Sequence, residues 1–325
     1  MIQKALITAP IEEELQSLRT LIQESLSSEN ALLSEALNHI RQRTGKMMRP
    51  ILTLLMAKCF DRGISEQTLH AGTSLELLHT ASLVHDDVVD ASGERRGQPS
   101  VNAEFNNKVA VLVGDYLLST SLYHGAQTND VHIIRLISQL GQRLAEGELL
   151  QLSNVANTVI SEEVYFNIIR KKTGVLFETC AQIGAISAGA SEEQVEWARL
   201  IGEIIGYAFQ IKDDIFDYFD DPVIGKPTGN DMREGKLTLP LIHVLLKTQD
   251  KAMNDLAQRV KQGEATDEEI TTLIDFTKRE GGIEYACKMM REQVNRAHKL
   301  LAKCSDEAVR TALITYIDYV VERNK

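Results

Sequence analysis

What is scarce in this sequence narrows its possibilities first. Only four cysteines occur in 325 residues, Cys59, Cys180, Cys287 and Cys304. They show neither CxxC nor Cys/His spacing, which argues against a structural zinc site and against a disulfide framework. Proline is confined to positions 10, 50, 99, 222, 227 and 240, so residues 100–221 lack the strongest helix breaker. No stretch approaches the roughly 18 uncharged apolar residues that a spanning helix needs, and the opening MIQKALITAPIEEELQ meets acidic residues before an apolar signal core can form. A cytoplasmic protein without an integral membrane segment is expected. A basic excess is also missing. The net charge of −11 argues against a nucleic-acid partner, because phosphate binding normally shows as clustered positive charge.

What is present describes a globular chain, with 43% hydrophobic and 25% charged residues. Apolar residues recur at three- and four-residue spacing, as in Leu136, Leu140, Leu144 and in Ile201, Ile205, Phe209. Strand-like alternation is scarce, so the expected fold class is all-α. Ser191 with Gln194, and Thr266 with Glu269, fit the capping box that satisfies orphan amides at a helix start. Breaks are expected near Asp61–Ser65, Ala91–Ser100, Gln127–Asp130, Thr158–Ser161, Gly189–Ser191, Pro222–Gly235 and Gln262–Thr266, which leaves about ten or more helices. No low-complexity linker divides them, and one domain over residues 1–325 is expected.

The acidic residues concentrate in two short runs, HDDVVD and KDDIFDYFDD. Residues four apart share a helix face, so Asp86 and Asp90 project together while Asp87 points away by ~100°. His79, seven residues before Asp86, joins that face. Asp213 and Asp217 are paired in the same way, with Gln210 one turn earlier and Gly206 a turn before that. Both runs follow strongly apolar segments, SLELLHTASLV and IGEIIGYAFQI, which suits helices facing a cavity better than solvated faces. Carboxylates crowded this way raise one another's pKa or demand a cation. Magnesium suits them, since it prefers hard oxygens and is usually held by one or two carboxylates together with substrate phosphates.

A diphosphate also needs positive partners. Lys46 and Arg49, three apart in GKMMRP, can share a helix face and bind one phosphate group. Arg95 and Arg96 follow the first run in the loop SGERRG. Lys172-Thr173-Gly174 and the segment GKPTGNDMREGK, with Lys226 and Lys236, read as glycine-flanked lysines in loops.

Taken in order, GKMMRP, LLHTASLVHDDVVDASGERRG, KTG, FQIKDDIFDY and GKPTGNDMREGKLTLP resemble the trans-prenyl diphosphate synthases over essentially the whole chain. The resemblance implies an isoprenoid synthase type of helical bundle around a central cavity, homodimeric, with the two aspartate motifs facing each other across its mouth. It assigns Lys46, Arg49, His79 and Arg96 to isopentenyl diphosphate, and Arg95, Lys172, Thr173, Gln210 and Lys236 to the allylic diphosphate, with the lysine loop around Lys226 closing over them. Asp86, Asp90 and Asp213 resemble the magnesium ligands, supported by Asp87, Asp214 and Asp217. Repeated condensation then follows from ionisation of the allylic substrate, with Asp86, Asp90, Asp213, Lys172, Thr173 and Gln210 as the catalytic set.

The small residues Ala81 and Ser82 before the first motif, and the two residues between its aspartate pair and its last aspartate, resemble long-chain synthases. These make products of roughly C30 to C50, as used for quinone side chains. Tyr123 is expected to floor the product channel, and peripheral membrane contact would help release so insoluble a product. Three alternatives remain. A short-chain synthase making C15 to C20 products keeps every motif. A class I terpene cyclase would leave Lys46, Arg49 and Arg96 without a job, and a non-catalytic partner subunit would be free to lose its aspartates.

Overall fold

The computed structural model describes residues 2–42, 45–95, 97–155, 159–219 and 228–322. Among these the chain is helical, in seventeen α-helical segments, the four longest being Glu66–Val89, Asn107–Gln127, Val131–Val155 and Glu192–Phe216. The one β element among them is a two-stranded antiparallel hairpin, Glu94–Arg95 with Gln98–Pro99. It stands where the sequence reads as a basic loop.

Both expected capping boxes form. The Ser191 amide donates to Gln194 Oε1 at 2.8 Å and the Gln194 amide to Ser191 Oγ at 3.3 Å. Thr266 and Glu269 exchange the same pair at 2.9 and 3.3 Å. Other helix starts lie where no proline or glycine marks them. Asn30 accepts from the Leu33 amide, Asn106 from Val109 and Asp250 from Met253, each at 3.1–3.2 Å. Short polar side chains alone begin these helices, so a scan for breakers passes over them. The expected break at Pro222–Gly235 falls partly outside the described residues.

The helices group into two compact units, one comprising Met1–Gln142, Phe177–Gly202 and Leu301–Tyr316, the other Arg143–Leu176, Glu203–Leu300 and Ile317–Lys325. In the first, Leu77, Ala81 and Val84 pack against Ala110, Val113 and Leu117 in one buried cluster. The three- and four-residue spacing on each side is what two helices need to present matching apolar stripes. Ser74 and Ser121 fix this pair, each hydroxyl donating to the other residue's carbonyl at 2.8 Å. In the second unit Leu241, Val244, Leu245, Val260, Leu273 and Phe276 form a separate core.

Within the first unit the helix Val175–Ser187 meets Met48–Lys58 at Gly184, where an added Cβ would lie 2.4 Å from the Thr53 carbonyl oxygen. Backbone cannot yield as a side chain can. Gly184→Ala is therefore expected to destabilise the protein by about 1–3 kcal/mol, read as a lower urea midpoint; an unchanged midpoint would show that the two helices part freely.

Candidate active site

The first aspartate motif ends its helix. Asp86 and Asp87 lie in the last turn of Glu66–Val89, Asp90 is its C-cap, and the Asp90 amide donates to the Asp86 carbonyl at 2.8 Å. Ala91 then takes a left-handed φ of 48° and the chain turns into the hairpin. Asp86 is half-buried and Asp90 exposed, whereas Asp87 is only 2% exposed. Asp87 Oδ1 accepts from both Nε and Nη2 of Arg95, each at 2.7 Å. The inward aspartate thus anchors the hairpin, as the ~100° offset along the helix requires. His79, Asp87 and Arg95 share a cavity with Gly45 and Met47. Arg96 lies outside the described residues.

Lys46 and Arg49 do not share a helix face. Met47 adopts a left-handed φ of 56° and the helix starts only at Met48, which leaves Lys46 exposed in the preceding loop. Arg49, in the first turn, lies over the Phe177 ring with its guanidinium carbon 5.4 Å from the centroid. Its Nε is buried and has no hydrogen-bond partner among the described residues. A buried donor in that condition favours an anion.

The second motif repeats the pattern on the helix Glu192–Phe216. Asp213 is half-buried and Asp214 is 2% exposed. Tyr165 donates to Asp214 Oδ2 at 2.5 Å, Gln210 Nε2 donates to Asp214 Oδ1 at 2.8 Å, and the Thr173 hydroxyl donates to Gln210 Oε1 at 2.7 Å. One carboxylate therefore orients the amide and, through it, the hydroxyl. Burial pushes Asp214 up to about 7; the charges of Asp213 and Asp217 act in the same direction, and the bonds from Tyr165 and Gln210 oppose them. Asp217 accepts from the backbone amides of Asn230 and Asp231 at 2.9 and 3.1 Å, at the start of the short helix Asn230–Arg233.

Lys172-Thr173-Gly174 is not a loop turn. Residues Arg170–Gly174 form a π-helical turn between the helices Glu162–Ile169 and Val175–Ser187. Its close support is glycine on glycine, since a Cβ on Gly206 would sit 2.5 Å from the Gly174 Cα. Such widened turns recur at functional positions. Lys172 pairs with Glu148 at 2.5 Å and donates to Gln151 Oε1 at 3.3 Å, while Lys236 pairs with Glu234. Lys172, Thr173, Gln210, Asp214 and Lys236 line one cavity of about 220 Å³ with Tyr165 and Asp231. Lys226 lies outside the described residues.

Sequence reasoning missed Tyr165, Glu148 and Asp231. Asp231 stood inside a quoted motif; Tyr165 and Glu148 meet their partners only through the fold. Ala81 is 2% exposed in the first unit's core, and the Ser82 hydroxyl donates to the His79 carbonyl at 2.9 Å. Tyr123 is 60% exposed and packs edge-on to His124, so it is not set as a floor beneath Ala81. Counting two turns on from Asp115 lands on the outer side of that helix; Val113 and Leu117 share the cluster with Ala81.

Among the described residues, no group of three or more His, Cys, Asp or Glu side chains could hold a metal alone, and no helix is long and apolar enough to cross a membrane. Asp86 and Asp90, a turn apart in the first unit, are carboxylates of the kind that suits a hard cation completed by oxygens from outside the protein, and Asp213 offers the same chemistry in the second unit.

An all-α chain with two such aspartate motifs has the isoprenoid synthase helical fold. The polyprenyl synthetase family model matches residues 30–276. The all-trans-nonaprenyl-diphosphate synthase (geranyl-diphosphate specific) of Rhodobacter capsulatus is 35% identical, over 98% of this chain and 97% of that protein. The crystal structure of geranylgeranyl pyrophosphate synthase from Bacteroides thetaiotaomicron is 54% identical with a TM-score of 0.88, over 99% of this chain and 100% of that one. A polyprenyl synthase from Caulobacter crescentus, complexed with calcium and isoprenyl diphosphate, is 28% identical with a TM-score of 0.92, over 99% and 98%. The chain belongs to the polyprenyl synthetase family and is a trans-prenyltransferase.

Tyr165→Phe removes one donor from a carboxylate that is only 2% exposed. The loss is expected to cost about 1–3 kcal/mol of stability at neutral pH, measured by urea unfolding; a variant as stable as the parent would show that Gln210 alone holds Asp214.

Proposed function

We propose that the protein condenses an allylic diphosphate with isopentenyl diphosphate, repeatedly, to give a long-chain all-trans polyprenyl diphosphate of roughly C30 to C50 for quinone side chains. The reading treats residues 1–325 as one polyprenyl synthase domain working in the cytoplasm. The observation that carries it is the division of labour inside each motif, in which Asp87 and Asp214 are buried on protein donors while Asp86, Asp90 and Asp213 stay nearer to water. That arrangement suits metal and diphosphate rather than a packed ion pair.

Asp86 and Asp90 in their unit, and Asp213 in its own, would each offer magnesium carboxylate oxygens beside substrate phosphate, and that positive charge would offset what builds as the allylic carbon–oxygen bond breaks. The calcium in the Caulobacter crescentus relative supports a divalent ion in this role. Lys172 and Lys236 bind the departing diphosphate by exchanging their carboxylate partners Glu148 and Glu234 for phosphate oxygens. Arg49, with its unpartnered Nε, and His79 serve isopentenyl diphosphate together with Lys46 and Arg96. Gln210 Oε1, aimed by the bond from its own amide to Asp214, and the Thr173 hydroxyl oxygen turn their negative ends toward the transient cation. The released diphosphate takes the proton, since none of these side chains is an evident base.

The second reading is a shorter product of C15 to C20, favoured by the 54% identity to a geranylgeranyl pyrophosphate synthase structure. Small Ala81 and Ser82 and the nonaprenyl relative favour the longer one. The protein also pairs with a second copy of itself. Val111 and Leu112 recur eleven residues on as Leu122 and Tyr123, three helical turns away and on one side of Asn107–Gln127, and all four are 41–67% exposed.

Incubation with farnesyl diphosphate, labelled isopentenyl diphosphate and magnesium, followed by chromatography of dephosphorylated products, is expected to give a ladder ending at C30 or longer. A ladder ending at C20 would transfer the assignment to the shorter product, and no incorporation would overturn prenyl transfer. Leu112→Glu is expected to convert a dimer to monomer in sedimentation velocity; a variant that sediments as the parent does would remove this helix from the contact.

A further inference from the structure

Outside the site, two sulfur atoms meet. Cys59 Sγ and Cys304 Sγ are 3.3 Å apart although 245 residues separate them in sequence. Cys59 is the C-cap of Met48–Lys58 and is half-buried; Cys304, 3% exposed, lies in the turn before the helix Glu307–Glu322. Arg310 fixes that turn by donating to the Cys304 carbonyl at 2.9 Å, and Cys304 Sγ lies 3.7 Å from the Asp306 carbonyl oxygen. Twelve residues beyond Cys304, the Tyr316 hydroxyl donates to the Met48 carbonyl at 2.9 Å. The Leu301–Tyr316 segment is thus tied at one end to the start of the Met48–Lys58 helix, and its other end brings a thiol to that helix's last turn.

The pair is chemically unequal. The contact with Cys59 lowers Cys304, with the Asp306 backbone and the Arg310 charge acting alike against burial and the Asp306 charge, while the same contact raises Cys59. Exchange with a disulfide needs a thiol that can lose its proton and a second sulfur within reach of it. The other thiols lack such a partner arrangement: Cys180 is fully buried and pushed up to about 12 by desolvation, and Cys287 has no sulfur beside it among the described contacts.

We propose that Cys59 and Cys304 are a reversible dithiol/disulfide site, oxidised by a small-molecule disulfide, which fastens the Leu301–Tyr316 segment to the Met48–Lys58 helix. Half-buried Cys59 meets the reagent. Its sulfur attacks one reagent sulfur, and its proton passes through water to the first reagent thiolate, which leaves as a thiol. Cys304 Sγ then attacks Cys59 Sγ in the mixed disulfide and expels the second reagent thiolate, its proton following. Two protein thiols and one reagent disulfide thus become one protein disulfide and two reagent thiols, with no other oxidant. A reducing cytoplasm would keep the bond transient, as such bonds in that compartment usually are. The site is independent of prenyl transfer.

The test uses the full chain, reduced and then incubated with oxidised glutathione. Free thiols are expected to fall from four to two, peptide mapping to join Cys59 to Cys304, the urea midpoint to rise, and dithiothreitol to reverse all three. Cys304→Ser is expected to stop at a glutathione adduct on Cys59. Four thiols retained, a lasting adduct on the parent protein without a crosslink, a crosslink through Cys180 or Cys287, or a crosslinked form with an unchanged midpoint would each overturn the proposal.

Discussion

A buried carboxylate must be answered by protein donors, and each aspartate motif contains one such group. Asp87 takes both near nitrogens of Arg95, which fastens the hairpin to the helix that ends at Asp90. Asp214 takes Tyr165 and Gln210, and Gln210 in turn takes Thr173. Burying an unpaired charge costs several kcal/mol or forces its neutralisation. The middle aspartate of each motif therefore dictates where its partners stand.

The carboxylates that remain nearer to water are arranged differently. Asp86 and Asp90 are a turn apart at a helix end, where the backbone carbonyls also point outward. A negative helix terminus bearing two carboxylates is electrostatically unfavourable by itself. It would become favourable with a doubly charged cation and phosphate beside it, so the proposed ligands would stabilise the fold at this point.

Much of this was legible in the sequence. Helical periodicity gave the all-α class, two capping boxes were read to the residue, and the face rule separated Asp87 from Asp86 and Asp90. Three features were not. Met47 enters a left-handed conformation that no glycine announces, which pulls Lys46 off the helix carrying Arg49. The basic loop after the first motif closes as a hairpin because Asp87 reaches Arg95. Tyr123 faces outward, because counting turns along a helix gives a direction only once the buried side is known, and that is decided by packing on another helix. Local chemistry was readable, whereas contacts such as Tyr165 with Asp214, 49 residues apart, exist only after the chain has folded.

The π-helical turn at Arg170–Gly174 has a consequence for rotational phase. It holds one residue more than an α-helical turn, so each side chain after it is displaced by ~100° from where an unbroken α-helix would place it. Lys172 and Thr173 sit inside this slip of phase, and Gly174 on Gly206 leaves the widened backbone room to lie close to its neighbour. Deleting a single residue there would restore a regular helix and keep every type of side chain. It would also turn the lysine and the threonine to different bearings. Here the register of the backbone, as much as the identity of the side chains, is part of the site.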